Sequence, residues 1–242
     1  MSEVEKRDLP KVISLKHCFE RDPKPEMCTD IFRNNLAVAL GVSINHLLFP
    51  KDKERICDST RGLGLYSQCN LWGFRLPLSN FAAEILRTVN VAPSQLNASA
   101  WCYINSFEAL FYIYQDKFSD CPLKEPTLAL FLHYYHFQVE KCWVKCVRRK
   151  WVLFDTISNP GKWQNGFFFL APGSVDITLP GSPPVRTKWN GNSVNLPGRR
   201  VLNQNELQAL RIIEEIKEGN HNAYLLCLHL VIIILFIYIF RL

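Results

Sequence analysis

Two cysteines four residues apart, Cys142 and Cys146, with His133 and His136 just upstream, form the one cluster in this 242-residue chain whose side chains resemble a metal site. Zinc sites usually pair cysteines two to four apart and add a second pair at a defined distance. No second pair follows. Cys142, Val144 and Cys146 instead alternate with Trp143, Lys145 and Val147, the period of a strand, which turns both thiols to one face beside a valine. They are expected to be buried structural cysteines holding no metal, and no other cofactor is expected. Catalytic patterns are equally missing. Asp58-Ser59-Thr60 is followed by Arg61 rather than the glycine of an aspartic-protease motif, and there is no second carboxylate motif to share its proton. No glycine-rich loop ends in Gly-Lys-Ser/Thr, and no Gly-x-Ser-x-Gly elbow occurs. His17, His46, His221 and His229 lie in segments with no nucleophile to partner them. The expectation is a protein that is not an enzyme.

The same strand carries the main electrostatic feature. Lys141, Lys145, Arg148, Arg149 and Lys150 are grouped around Trp143 and Trp151. The alternation predicts a hairpin that rises through residues 142–147, turns at a basic tip Arg148-Arg149-Lys150, and returns through residues 151–154. Such a ribbon can contact phosphates through its cations and stack bases on its indoles. Equally, a charged turn can be a solvated edge that blocks sheet-to-sheet pairing.

Elements must exist to hold that ribbon, and composition says they do. Hydrophobic residues make up 48% of the chain and aromatics 12%, enough apolar surface for one substantial domain. The net charge of +6 is mild, so it permits an anionic partner without demanding one. Nine cysteines form an odd set, and the N-terminus lacks the apolar run of a signal peptide. Reduced thiols and an intracellular location follow, cytoplasmic or nuclear. In that setting Asn97-Ala98-Ser99 reads as a helix start rather than a glycosylation site.

Residues 1–61 are charged and broken by prolines, and read as a loosely ordered arm with one short helix over 31–40. The core domain runs over 62–171. Within it, Ser79 or Asn80 caps a helix bearing Phe81, Ile85, Leu86 and Val89, stopped by Ala92-Pro93. Asn97 caps a second, with Ile104, Phe107, Phe111 and Tyr114 at helical spacing. A third starts near Pro126-Thr127 and carries Leu128, Phe131, Leu132 and Tyr135. Trp101, Phe107, Phe111, Phe131 and Trp163 are expected to be buried together. A further strand is predicted at Phe167-Phe-Phe-Leu170. The stretch 172–202, rich in Pro, Gly and Ser, reads as a linker. An amphipathic helix over 203–218 has Asn203 as cap and Glu206 at the capping-box position. The apolar run 223–240 is as a helix roughly 27 Å long, enough to cross a membrane as a C-terminal anchor. The fold class is therefore α+β: a mainly helical cluster with an antiparallel hairpin, one or two more short strands, and a C-terminal hydrophobic helix.

The order of segments is also distinctive. Gly73-Phe-Arg-Leu-Pro-Leu-Ser-Asn-Phe81, Val91-Ala-Pro-Ser-Gln-Leu-Asn-Ala-Ser-Ala-Trp101, Pro126-Thr-Leu-Ala-Leu-Phe-Leu-His133 and Pro160-Gly-Lys-Trp-Gln-Asn-Gly-Phe-Phe-Phe-Leu170 resemble the plant gypsy-type transposase domain family. That family resembles the Gag-like N-terminal region of retrotransposon polyproteins. The resemblance covers about residues 62 to 170 and is fainter over 203–217. It implies a retrotransposon-derived, Gag-like structural or assembly domain without catalytic activity, acting through self-association and weak nucleic-acid binding. With no zinc knuckle, protease or polymerase signature downstream, the chain reads as a truncated or degenerate copy. Two alternatives stand beside it: a winged-helix-like nucleic-acid module with residues 128–137 in a groove, and a tail-anchored membrane adaptor.

Overall fold

The computed structural model describes residues 11–14, 30–51, 54–57, 61–149, 153 and 166–219. The fold is α+β: helices and three small antiparallel sheets share one aromatic core.

Four of the helices begin where the sequence places capping side chains. After α1 (Asp30–Leu40) and the short α2 (Ser67–Leu71), α3 (Asn80–Val89) starts at Ser79, whose Oγ accepts from the Ala82 amide at 3.0 Å. It stops at Asn90, ahead of the expected Ala92-Pro93, because Asn90 takes the left-handed conformation at φ 61° and its amide returns to the Leu86 carbonyl. Ahead of α4 (Ala98–Ile113), Asn97 Oδ1 accepts from the Ser99 amide at 2.9 Å, and ahead of α5 (Leu128–Tyr134), Thr127 Oγ1 accepts from the Leu130 amide at 3.3 Å. The last helix among the described residues, α6 (Gln204–Gly219), has the expected box. Asn203 Oδ1 accepts from the Glu206 amide and Glu206 Oε2 accepts from the Asn203 amide, both at 2.9 Å.

Phe107 is the hub of the core. Its ring lies 5.9 Å from Phe81, 5.9 Å from Phe111 and 5.5 Å from Phe131, while Trp101 meets Phe74 edge to face at 4.7 Å. All of these rings are buried in one cluster; Trp163 lies outside the described residues. Cys142 and Cys146 are buried with Val144 between them. Burial raises the Cys146 thiol and pushes Cys69 and Cys102 up to about 12, so these sulfurs remain protonated and inert.

Strands depart further from expectation. A ribbon pairs β1 (Lys11–Ser14) with β7 (Ser193–Leu196). A three-stranded sheet places β6 (Phe167–Leu170) between β2 (Leu47–Leu48) and β3 (Leu63–Tyr66). A central strand covered on both faces explains why Phe167-Phe-Phe-Leu170 is apolar without alternation. The third sheet is the hairpin of β4 (Tyr135–Glu140) and β5 (Trp143–Arg148).

Three boundaries are thereby corrected. The described part of 1–61 is not a loose arm: α1 buries Leu36, Ala37 and Leu40, and Ile56 packs so tightly on Gly64 that a Cβ there would lie 2.6 Å from the Ile56 carbonyl. Strands of two to four residues are too short to show a period among prolines. The stretch 172–202 is no linker, since it contains β7 and the buried Asn190. Proline-rich chain lacks periodicity, but here it is held by side-chain hydrogen bonds instead of by a repeating pattern. The hairpin turns at Lys141-Cys142, with Lys141 at φ 58°, so Arg148-Arg149-Lys150 is not its tip. Helix α5 runs straight into β4 at Tyr135, and continued apolar residues at helical spacing disguise that change of backbone.

Among the described residues no helix is long and apolar enough to cross a membrane, and 223–240 lies outside them.

Candidate nucleic-acid interface

Strand β5 turns Val144 and Cys146 inward and leaves Trp143, Lys145 and Val147 on its half-buried outer face. The Trp143 indole N–H donates to the Tyr66 hydroxyl at 3.2 Å. Against its ring stands Trp189, edge to face with centroids 6.2 Å apart, and the Trp189 N–H donates to Ser94 Oγ at 2.7 Å. Both indoles are thus fixed by their one polar atom.

Trp189 is brought there by its neighbour. Asn190 is 4% exposed and its amide donates to Gln95 Oε1 at 2.7 Å; Gln95 Nε2 donates back to the Asn190 carbonyl at 3.0 Å. Asn190 Nδ2 also donates to the Asn90 carbonyl at 2.9 Å and to the Ser193 carbonyl. Gln95 Oε1 further accepts from the Ala92 amide at 3.1 Å. The Ala92-Pro-Ser-Gln-Leu96 motif is buried throughout, and its work is to bind the 189–193 segment to the body of the fold.

The expected site residues divide. Lys141 is exposed at the turn, and Lys145 Nζ lies 3.4 Å from the Glu140 carboxylate in a pair open to solvent, which binds it only loosely. Arg148 is half-buried at the end of β5. Arg149 is spent on the fold: its Nε donates to the Leu132 carbonyl at 2.8 Å and the Tyr135 carbonyl at 3.1 Å, and its amide donates to the Tyr134 carbonyl at 2.8 Å. It closes the C-terminus of α5, where carbonyls lack helical partners. Lys150 and Trp151 lie outside the described residues.

What sequence reasoning missed is Trp189 with Lys188. The signal was charge rather than period. Between Asp176 and Glu206 there is no acidic residue, while Arg186, Lys188, Arg199 and Arg200 are all present and exposed. Arg186 Nε donates to Asn90 Oδ1 at 3.1 Å, and Arg200 lies 4.0 Å from Glu84. Arg199 reaches His133 Nδ1 at 2.8 Å. Burial, then the Arg199 charge, holds the His133 pKa below its ordinary value, so the ring is neutral and accepts that bond.

The winged-helix arrangement does not fit this geometry. Leu128, Leu130, Phe131, Leu132 and Tyr134 of α5 are all buried, which leaves no helix face to enter a groove. No protein-family model, curated protein or solved structure matches the chain. The likeness to the gypsy-type transposase domain therefore rests on the motifs themselves.

Proposed function

We propose that this chain is a non-enzymatic, Gag-like structural domain of retrotransposon origin that binds single-stranded nucleic acid weakly and works otherwise through protein contacts. The Trp143–Trp189 pair flanked by Lys141, Lys145 and Lys188 carries the nucleic-acid part. Fixed rings offer stacking surface to any base, and the lysines supply phosphate contacts without reading sequence. The run 223–240, apolar but for His229, is long enough that as a helix it would tether the chain to a membrane.

Fluorescence anisotropy with a labelled mixed-sequence 20-mer tests the first part. Binding is expected at low salt, indifferent to sequence, and weakened about five- to 150-fold by Trp143→Ala, as stacking contributes about 1 to 3 kcal/mol per base. Absence of binding at low salt, or equal binding by the Trp143→Ala and Lys188→Ser variants, refutes it. Alkaline carbonate extraction tests the tail: the full chain should stay with lipid and a chain ending at Gly219 should be released.

A further inference from the structure

A concavity of about 650 Å³ opens between the head of α3, the C-terminal half of α4 and the loop before α5. Its floor is aromatic and rigid. Phe81, Phe111 and Phe118 are buried beneath it, with Phe111 and Phe118 stacked at 4.4 Å and 15°. At the rim stands Tyr112, 72% exposed, one helical turn beyond Glu108 on the same face of α4. Leu179, 37% exposed, lines it too. Large apolar side chains set so far into solvent beside a concave surface mark a contact site rather than a packing need.

Charge selects the occupant. Glu108, Asp116 and Glu125 line the groove against one cation, Lys124. The Lys124 ammonium is turned to the backbone, donating to the Phe118 carbonyl at 2.8 Å and the Ser119 carbonyl at 2.5 Å. A second concavity of about 570 Å³ shares Asn80, Phe81, Glu125 and Pro126 and extends the groove past Glu84. Its one cation, Arg87, likewise donates to a carbonyl, that of Pro183, at 2.8 Å. On a chain of net charge +6, this is a local excess of carboxylate.

We propose that the groove binds an extended segment of a partner protein carrying an arginine or lysine beside an apolar side chain. The cation lies between Glu108 and Glu125 against the Tyr112 ring, a cation–π geometry, and the apolar side chain rests on the phenylalanine floor. The volume falls within the range of ordinary ligand sites. None of these residues belongs to the tryptophan face, so this inference stands or falls apart from nucleic-acid binding.

Glu108 also gives the site a pH signature. Burial first pushes its carboxyl up to about 7; the Ser79 hydroxyl donates to it and opposes the rise, Glu125 adds to it, and Arg75 opposes it. Below that pH the carboxyl is neutral, and above it the negative charge is present. A cationic segment is therefore held more tightly at pH 8 than at pH 6, and Glu108→Gln flattens that dependence.

Selection of a random dodecapeptide display library on the immobilised full chain, counter-selected with its Tyr112→Ala variant, tests the proposal. Recovered peptides should share an arginine or lysine next to an apolar residue. Replacing that residue by citrulline, which keeps its shape and removes its charge, should weaken binding about tenfold. Tyr112→Ala and Glu125→Gln, both changes at the rim, should each weaken it about three- to tenfold with melting temperature unchanged. Four results overturn the proposal: peptides without a shared basic residue, equal binding by the citrulline form, equal binding by both variants, or recovered sequences that match residues 186–200 of this chain, which would make a second copy the occupant.

Discussion

The tryptophan face and the acidic groove lie on one chain and are built in opposite ways. On the face, two indoles are held by inward hydrogen bonds to Tyr66 and Ser94, with exposed Lys141 and Lys188 and half-buried Lys145 near them in sequence. It has charge and ring surface but little shape. In the groove, phenylalanines make the shape, and carboxylates from α4 and the loop before α5 supply the charge. A net charge of +6 describes neither place. Where a partner goes depends on which charges the fold leaves pointing outward and which, like Arg149 and Lys124, it turns upon its own carbonyls.

The contrast can be broken from either side. Phe111→Ala removes the groove floor and part of the core together, and should lower stability by about 3 to 5 kcal/mol in urea denaturation. A variant as stable as its parent would mean that this ring does not belong to the core. Asn190→Ala acts on the other region. It leaves the Asn90 and Ser193 carbonyls without their Nδ2 donor, at a cost of about 2 to 3 kcal/mol, and loosens the turn beside Trp189, though the backbone bonds to Gln95 remain. Oligonucleotide affinity should fall while binding of groove-selected peptides is unchanged; loss of both would mean that the regions are not separate.

Salt sharpens the difference. Three or four lysine–phosphate contacts predict a loss of oligonucleotide affinity of about 20- to 50-fold between 50 and 200 mM salt, since the slope for single strands is about −0.7 per contact. A peptide anchored by one cation and an apolar side chain should lose several-fold less in the same titration. The smallest effect concerns Glu108, whose folded-state value of about 7 lies above its ordinary 4.5. The folded state holds that proton more tightly, so the stability it contributes is full below pH 4.5 and lost as pH rises through about 7. Glu108→Gln removes the loss and should make the chain more stable than its parent at pH 8 by about 1 to 2 kcal/mol, after allowance for partial exposure. Thermal melts of both proteins at pH 4 and pH 8 check the sign.

Four helix starts were legible because each is written in one side chain and the residue two or three places on: Ser79, Asn97, Thr127, and Asn203 with Glu206; the start at Ser67, which has no capping side chain, was not. Inward and outward faces of β5 could be read for the same reason, as alternation is local. The β1–β7 ribbon could not, since Val12 meets Asn195 across most of the chain and neither segment is long enough to show a pattern. Half of the candidate interface was visible in Trp143, Lys141 and Lys145. The other half was hidden because Trp189 reaches the site through Asn190 and Gln95, a buried polar clasp that leaves no periodic trace. Arg149 misled for a related reason: a cation in sequence looks alike whether it meets solvent or closes a helix.

Glu206 completes the box at the head of α6, and its second oxygen accepts from Thr127 Oγ1 at 2.7 Å, the residue that caps α5. One buried carboxylate thus joins the first turns of two helices separated by some seventy-five residues of chain. Neither end can fray without breaking the other's hydrogen bonds, so the two turns should open as a single unit. In native-state hydrogen exchange, the Leu130 amide at one cap and the Leu207 amide at the other should report the same opening free energy. Replacing Glu206 by Gln should lower both in step, making α6 a cooperative part of the domain.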